Sequence, residues 1–457
     1  MSKSESLRFA FEAAQRYIDA ERSGSVGPNA QALAALSALG EVSLDDPIGT
    51  EAALALLDRV GSPATMRSTG GRYFGFVNGG VTPEALGASI VASAWDQNAA
   101  LPAMSPVAAA ADRVAAEWVV DVLGLPASAT GAFCAGASVA NLTAIVAARD
   151  ALLDRAGWSV HDDGLAGAPA IEVIVSAETH ISVHKALRIA GIGQAQVTVV
   201  PTNEWGALRA SELPPSDGLT LAVLQAGNVN TGHSDPFGEV VDAIGGDDTW
   251  VHVDGAFGLW ANAVPERRAS VAGVERCDSW ATDAHKWLNA PYDCAIVICA
   301  DGRHLQRSMR ADAAYLPIEA EERSSMNLGL QMSQRARAIP VWAILAANGR
   351  RGIADAIETT CQRAEQFAEL LAEAGATVLV PVAINQVLVA FGDEAETNAV
   401  VEAVQADGTC WMGATTWQGR RAMRISVSDI TTTAGDVEIS VAAIVRCWHG
   451  LKGGRTT

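Results

Sequence analysis

The pattern of apolar and polar positions divides the chain into three regimes. Near the start, "LRFAFEAAQRYIDAE" repeats its apolar residues every three to four positions. "EAALALLDRVG" does the same before a closing glycine, so both are expected helices of an N-terminal helical segment, residues 1–70. From about residue 105, helices and strands alternate. "SPVAAAADRVAAEWVVDVLGL" and "SVANLTAIVAARDALLDRAG" have helical periodicity, the second entered through the small-residue turn "CAGAS". Five short β-branched runs follow, "IEVIVS", "AQVTVVP", "LTLAVLQA", "TWVHVD" and "CAIVICA", each bounded by polar or glycine turns. Short apolar strands between helices predict an α/β domain over residues 71–345, with a mostly parallel central sheet covered on both faces. After about residue 350 the order changes. The amphipathic "GIADAIETTCQRAEQFAELLAEAG" precedes "TVLV", "NQVLVAF" and "RAMRISVS", and a last helix, "AGDVEISVAAIVRCW", closes a small α+β C-terminal domain, residues 346–457. The stretch "LPIEAEERSSMNLGLQMS" reads as a long loop, and loops of that length usually carry function or move.

Composition narrows the function classes. Of 457 residues 49% are apolar and 18% charged, which indicates a well-buried globular chain. A net charge of −20 disfavours nucleic acid or an anionic membrane surface as the main partner, while leaving room for a locally positive site that takes a small anion. No apolar run reaches the ~20 residues of a membrane helix, and the first residues hold no apolar signal core. Seven cysteines without a CxxC pair suggest free thiols and a cytoplasmic protein.

Four features carry candidate chemistry. In "DSWATDAHKWLNAPYDC", Lys286 lies between His285 and Trp287 and just ahead of an apolar strand. Partial desolvation there would favour a neutral amine able to form a Schiff base; the plainer reading is a lysine at a strand edge. Asp254 ends the strand of "WVHVDGAFG", where open α/β sheets bind ligands, and it could pair with a pyridinium nitrogen or simply cap a helix. "FCAGASVANL" leads into a helix start near Ser138, a place for a phosphate on backbone N–H groups or for an ordinary serine cap. His180, after "IEVIVS", stands four residues before His184. No HExxH frame or nearby cysteine supports a metal pair, so a ring that stacks on a flat cofactor explains His180 better, and His184 reads as a helix-face residue.

These motifs, in this order, resemble those of the group II pyridoxal-phosphate-dependent amino-acid decarboxylases, the family of aromatic amino-acid and glutamate decarboxylases. "DSWATDAHKWL" resembles the family's lysine motif, "HVDGAFG" its Asp-x-Ala motif, "GAFCAGASVANLTAIVAAR" its phosphate turn and "ETHISVHKA" its stacking-histidine motif. "QMSQRARAIPVW" and "GRRAMRISVSDITTTAGDV" resemble its later arginine-bearing segments. The resemblance runs over roughly residues 65–445. It implies the fold-type I, aspartate aminotransferase-like architecture, pyridoxal 5'-phosphate as cofactor, and a homodimer with the active site at the interface. It also implies that Lys286 holds the cofactor as an internal aldimine, that Asp254 pairs with the ring nitrogen, and that His180 and Ala256 pack on opposite ring faces. Ala137, Ser138 and His285 would hold the phosphate. Asn228 would stand near the ring oxygen where relatives commonly have threonine, and Arg335 aligns with a family arginine of unassigned role.

Two departures bear on the outcome. Relatives carry a loop tyrosine that reprotonates the substrate carbon, whereas "IEAEERSSMNLGLQ" has none, and Tyr315 lies upstream at the position of a different family tyrosine. Loss of that tyrosine is associated in the family with decarboxylation coupled to oxidative deamination. "RYFGFVNGG" and "DQNAALPAMSP" offer no obvious aromatic cage and no arginine for a distal carboxylate. The expected activity is decarboxylation of an L-amino acid to an amine and carbon dioxide, with an aldehyde synthase or carbon–carbon lyase as the alternative. A serine hydrolase is disfavoured by the absence of GxSxG, and a non-catalytic scaffold by the intact Lys286, Asp254 and His180.

Overall fold

The computed structural model describes residues 1–216, 218–311 and 323–453. The chain opens with α1 (Lys3–Ala20), α2 (Ala30–Ala35) and α3 (Gly49–Gly61). α1 packs on α3 and buries none of its own side chains. Then come α4 (Pro83–Trp95), α5 (Pro106–Val122), β1 (Thr130–Cys134), α6 (Ala137–Arg155), α7 (Val160–Asp163), β2 (Glu172–Ser176), α8 (Ile181–Ile189), β3 (Val197–Val200), β4 (Thr220–Gln225), α9 (Phe237–Ile244), β5 (Thr249–Asp254), β6 (Ser279–Asp283), β7 (Ala295–Cys299) and α10 (Gly302–Met309). The last part holds α11 (Ala338–Glu373), β8 (Thr377–Val378), β9 (Gln386–Ala390), α12 (Glu394–Asp407), β10 (Gly413–Trp417), β11 (Arg420–Ser426) and α13 (Ala434–Gly453).

The large sheet has the order β1-β7-β6-β5-β4-β2-β3. β7 runs antiparallel to both β1 and β6, and the remaining pairs are parallel. Strands β1, β2, β4, β5 and β6 therefore end on one edge, the edge at which such sheets bind ligands. One core, with α5 and the start of α11, covers one face; a second, with α6, α8 and α10, covers the other. α6 shows no sharp apolar stripe because alanines at 140, 144, 147, 148 and 151 are buried along it and let it lie close to the sheet. A four-stranded antiparallel sheet, β10-β11-β9-β8, packs with α12, α13 and the end of α11 around a third core.

Several elements escaped the apolar pattern, among them β1, β6, β10, α2, α4, α7, α9, α10 and α12. β6 is wholly buried, yet it reads "SWATD", with three polar residues in five. Its burial is possible because Ser279 and Asp283 find partners inside the protein, while the Thr282 hydroxyl has none among the described residues. The division expected at residue 346 falls inside α11, which bends at Gly349 (φ 59°). Residues up to Cys361 serve the large core, while Ala364, Phe367 and Leu371 serve the small one. The second half of the expected long loop is docked. Arg323 donates to Asp112 Oδ1 at 2.8 and 2.9 Å, and Met326 packs on Ala100 and Leu101. Tyr315 and residues 318–322 lie outside the described residues. Among the described residues no helix is long and apolar enough to cross a membrane.

Two polar clusters fix the layers against each other. Asn289, with φ 59° and no solvent exposure, donates through Nδ2 to the carbonyls of Lys286 (3.2 Å), Trp287 (3.1 Å) and Ser428 (2.8 Å). Its Oδ1 accepts from the N–H groups of Gly80 (2.8 Å) and Ile430 (3.1 Å). One amide thus joins the turn after β6, the segment before α4 and the loop after β11. Asparagine suits the position because it tolerates a left-handed backbone. The second cluster lies under the edge. Ser279 Oγ accepts from Trp250 Nε1 (2.9 Å) and donates to His252 Nδ1 (2.9 Å), which assigns the ring proton to Nε2, where it donates to Asn141 Oδ1 (2.9 Å). This chain fastens α6 to β5 and β6. Burial pushes the His252 pKa down to about 3.

Asn289→Ala is expected to lower unfolding stability by about 3 kcal/mol or more, because buried partners on three segments lose their hydrogen bonds at once. Urea denaturation checks this, and a loss under about 1 kcal/mol would show that water replaces the amide. For His252, the unfolded chain takes up a proton as pH falls through about 6.5, whereas the folded ring stays neutral to about 3. Between those values the unfolded state binds the extra proton, so acidification costs about 1.4 kcal/mol per pH unit at this site. His252→Gln is expected to flatten the stability profile between pH 6 and 4.5. An unchanged acid slope would assign it to other groups.

Candidate active site

The sheet edge brings together side chains separated by nearly 350 positions. Phe76, Gly136, Ala137, Ser138, His180, Gln225, Asp254, Ala256, Asp283, His285, Lys286 and Arg424 line one cleft of about 460 Å³. Most arrive by a strand end or its following turn: Ala137 after β1, His180 after β2, Gln225 from β4, Asp254 from β5 and Lys286 after β6. Arg424 comes from β11 of the small domain.

The turn that carries Lys286 is held on all sides. Trp287 is 1% exposed and its Nε1 donates to Thr360 Oγ1 on α11 at 2.7 Å. Gly79 passes so close that an added Cβ would lie 1.8 Å from the Lys286 carbonyl oxygen, which only glycine permits. The lysine itself differs from expectation. Its side chain is 23% exposed and its Nζ lies 3.1 Å from Asp283 Oδ2, so it has a carboxylate partner rather than purely apolar surroundings. Asp283 was not anticipated, although it stands three residues before the lysine in the same motif. It is 2% exposed, its Oδ1 accepts from the Ala137 N–H at 2.6 Å, and His285 Nε2 lies 3.6 Å from its Oδ2.

Asp254 is 4% exposed and accepts from the Ala256 N–H at 3.2 Å. Among the described residues it has no ion pair, and burial raises its pKa, with Lys286 and His180 acting against that. His180 caps α8: its Nδ1 accepts from Ser182 N–H (3.3 Å) and lies 2.7 Å from Ser182 Oγ. That leaves the ring proton on Nε2. Desolvation is the main cause that lowers the His180 pKa. His285 Nδ1 accepts from Cys294 N–H at 3.2 Å, which turns Nε2 toward Asp283. Ser138 does not cap α6; Gly136 does, and Ser138 sits exposed in the first turn.

Two expected residues lie elsewhere. Asn228 is fully buried and does not line the cleft. Its Oδ1 accepts from Asn230 and Thr231 N–H (2.8 and 3.2 Å), so the amide closes its own turn. Arg335 lines a separate groove with Asn98, Asp96 and Ser333 and lies 3.6 Å from Asp293. Arg424 and an aromatic wall were missed. Arg424 faces the cleft with no hydrogen bond or ion pair among the described residues, and desolvation lowers its pKa. Phe76 stacks on Trp411 at 5.3 Å, and Trp411 on Tyr73 at 5.0 Å. Trp411 comes from the small domain, and Gly75 makes room for it, since a Cβ there would lie 2.1 Å from the indole. Of this stack only Phe76 lines the cleft, so it supplies one aromatic face there and not a cage. Phe76 and Val77 both have positive φ (55° and 59°), a conformation costly for side chains of their size.

A buried carboxylate without a cation and a guanidinium without an anion, facing one cleft, fit a ligand with both a protonated ring nitrogen and an acidic group. Pyridoxal phosphate bound to an amino acid has both. The comparisons with known proteins agree. The model of the pyridoxal-dependent decarboxylase conserved domain matches residues 66–393. The aromatic-L-amino-acid decarboxylase of Bacillus atrophaeus is 31% identical over 269 residues, 56% of this chain and 54% of that protein. The 4-hydroxyphenylacetaldehyde synthase of Rhodiola rosea is 27% identical over 65% of this chain and 61% of its own length. The chain thus spans little more than half the length of the first of these curated relatives. The Oryza sativa TDC structure with PLP and tryptamine superposes with a TM-score of 0.90 over 98% of both chains at 23% identity, which shows the fold. With a domain match over most of its length, a shared fold and a cleft suited to the cofactor, the chain belongs to the pyridoxal-dependent decarboxylase family.

Proposed function

We propose that the protein is a pyridoxal-phosphate-dependent enzyme that removes the α-carboxylate of an L-amino acid as carbon dioxide and releases the amine. The observation that carries this reading is the convergence of Lys286, Asp254, His180 and the start of α6 with the unpaired Arg424 in one cleft. When bound, the cofactor supplies an electron sink for the pair left behind by departing carbon dioxide. Lys286 is the amine that tethers it. Asp254, buried and without a cation, keeps the ring nitrogen protonated. The N–H groups at Ala137 and Ser138, with His285, hold the phosphate at a helix start, which lets a protein of net charge −20 bind an anion. His180 covers one ring face and Ala256 the other. With Nδ1 engaged by Ser182, His180 keeps Nε2–H turned into the cleft, where it can hydrogen-bond and orient the substrate. Arg424 orients the substrate carboxylate. Arg335, away from the cleft, takes no part in this scheme.

Phe76, which lines the cleft and is backed by Trp411 and Tyr73, favours a substrate with an apolar or aromatic side chain. Phe76 is 63% exposed beside the cleft, and Ile90, Val91 and Trp95 expose apolar surface on α4, which supports a homodimer whose second copy completes the site. Seven free cysteines support the cytoplasm as the compartment. One sequence observation favours a second reading, an aldehyde synthase: residues 318–331 hold no tyrosine. That reaction consumes the amino acid, dioxygen and water and yields aldehyde, carbon dioxide, ammonia and hydrogen peroxide.

The purified protein with added pyridoxal phosphate, offered a panel of L-amino acids, is expected to release carbon dioxide and an amine, fastest with aromatic substrates. Peroxide and ammonia in step with carbon dioxide would favour the second reading. Lys286→Ala is expected to abolish the cofactor's bound absorbance band and turnover, and normal turnover by that variant would overturn the proposal. Arg424→Gln is expected to raise KM about tenfold or more through the lost charged hydrogen bond. An unchanged KM would place the substrate carboxylate elsewhere.

A further inference from the structure

The groups assigned to the cofactor are already engaged by one side chain. Asp283 Oδ1 takes the first N–H of α6 at 2.6 Å, and its Oδ2 lies 3.1 Å from Lys286 Nζ and 3.6 Å from His285 Nε2. The carboxylate is 2% exposed and fixed at the end of β6, one residue before the turn that bears His285 and Lys286. Its backbone is pinned in register opposite Ala295, and its buried side chain is held by those three contacts. A phosphate that approaches the start of α6 therefore meets a fixed negative charge, and it must share or take over the donor that this charge holds.

We propose that Asp283 is a built-in competitor of the cofactor's phosphate, an internal anion that sets how tightly the protein retains pyridoxal phosphate. It acts as a positioning residue on Lys286 and as a repulsive neighbour to the phosphate. Lys286 links the two roles. Once its amine is committed to the cofactor's aldehyde, Asp283 loses a partner and its charge weighs more heavily on the phosphate. The arrangement favours a readily exchanged cofactor over one held for the life of the protein. This inference rests on the cofactor placement proposed above.

The test compares two ligands that differ only in the phosphate. Dissociation constants for pyridoxal phosphate and for pyridoxal are measured by absorbance and by equilibrium dialysis on the full chain, wild type and Asp283→Asn. The amide keeps the size of the side chain and removes the charge. Asp283→Asn is expected to bind pyridoxal phosphate about tenfold or more tightly, with pyridoxal changed less than about twofold. Inorganic phosphate is expected to raise the thermal midpoint of the variant and to leave that of the wild type unmoved. Asp283→Ser, which also lacks the charge, is expected to show the same phosphate-specific gain and serves if the asparagine variant does not fold. Equal changes for both ligands would show a merely structural role and overturn the inference, as would weaker binding of pyridoxal phosphate by both variants. A wild-type protein that binds neither ligand would overturn this inference together with the proposed function. A wild type that loads normally, beside variants without a phosphate-specific gain, would overturn this inference alone.

Discussion

The whole site hangs on how the backbone turns after β6. That turn must deliver Lys286 to the sheet edge, and three segments from distant parts of the chain hold it there. The five hydrogen bonds of Asn289 reach the segment before α4 and the loop after β11. Trp287 reaches α11 through Thr360, and Gly79 presses against the Lys286 carbonyl. None of these contacts touches the cleft chemistry. They convert a flexible lysine stem into an amine with a defined address, at a cost in conformational freedom that the buried polar network offsets.

Electrostatics at the edge follow from burial more than from net charge. Two carboxylates, Asp254 and Asp283, sit within one cleft in a protein that is already strongly acidic, and each is handled differently. Asp283 is balanced by a lysine and a backbone N–H at a helix start. Asp254 accepts one backbone N–H, from Ala256, and has no ion pair among the described residues, so its charge is left dependent on what enters the cleft. Arg424 is its cationic counterpart, brought in by the small domain. The two domains thus contribute opposite unmet charges to one space, and a ligand with complementary groups would bind by joining them.

Much of this was legible in the chain because strand ends are punctuated. Asp254, His180 and Ala137 each follow a short apolar run or a small-residue turn, Lys286 precedes an apolar run, and the structure sets all four on one edge. What stayed hidden depends on contacts distant in sequence. β6 did not read as a strand because Ser279, Thr282 and Asp283 are polar, and Ser279 and Asp283 find their partners in Trp250, His252 and Ala137. Arg424 lies in an ordinary strand, and nothing local distinguishes it from its neighbour Arg421, which pairs with Asn398 instead. The aromatic wall needs Trp411 to stack on residues more than 330 positions away. Asn228 misled because its amide serves its own turn, a role that composition does not separate from ligand binding.

The reversed strand β7 has a consequence for synthesis. β1 joins the sheet only through β7, whose residues pair with it from Thr130–Cys299 to Cys134–Ala295. α6, which follows β1 immediately, packs on β5, β6 and β7. Cys299 leaves the ribosome 299 − 134 = 165 residues after Cys134. At about 5–20 residues per second this is a wait of about 8–33 s before the full sheet face under an alanine-rich helix with eleven buried residues is in place. The segment that begins the anion site is thus made early and housed late, so the nascent chain must be kept from aggregation until its reversed strand arrives.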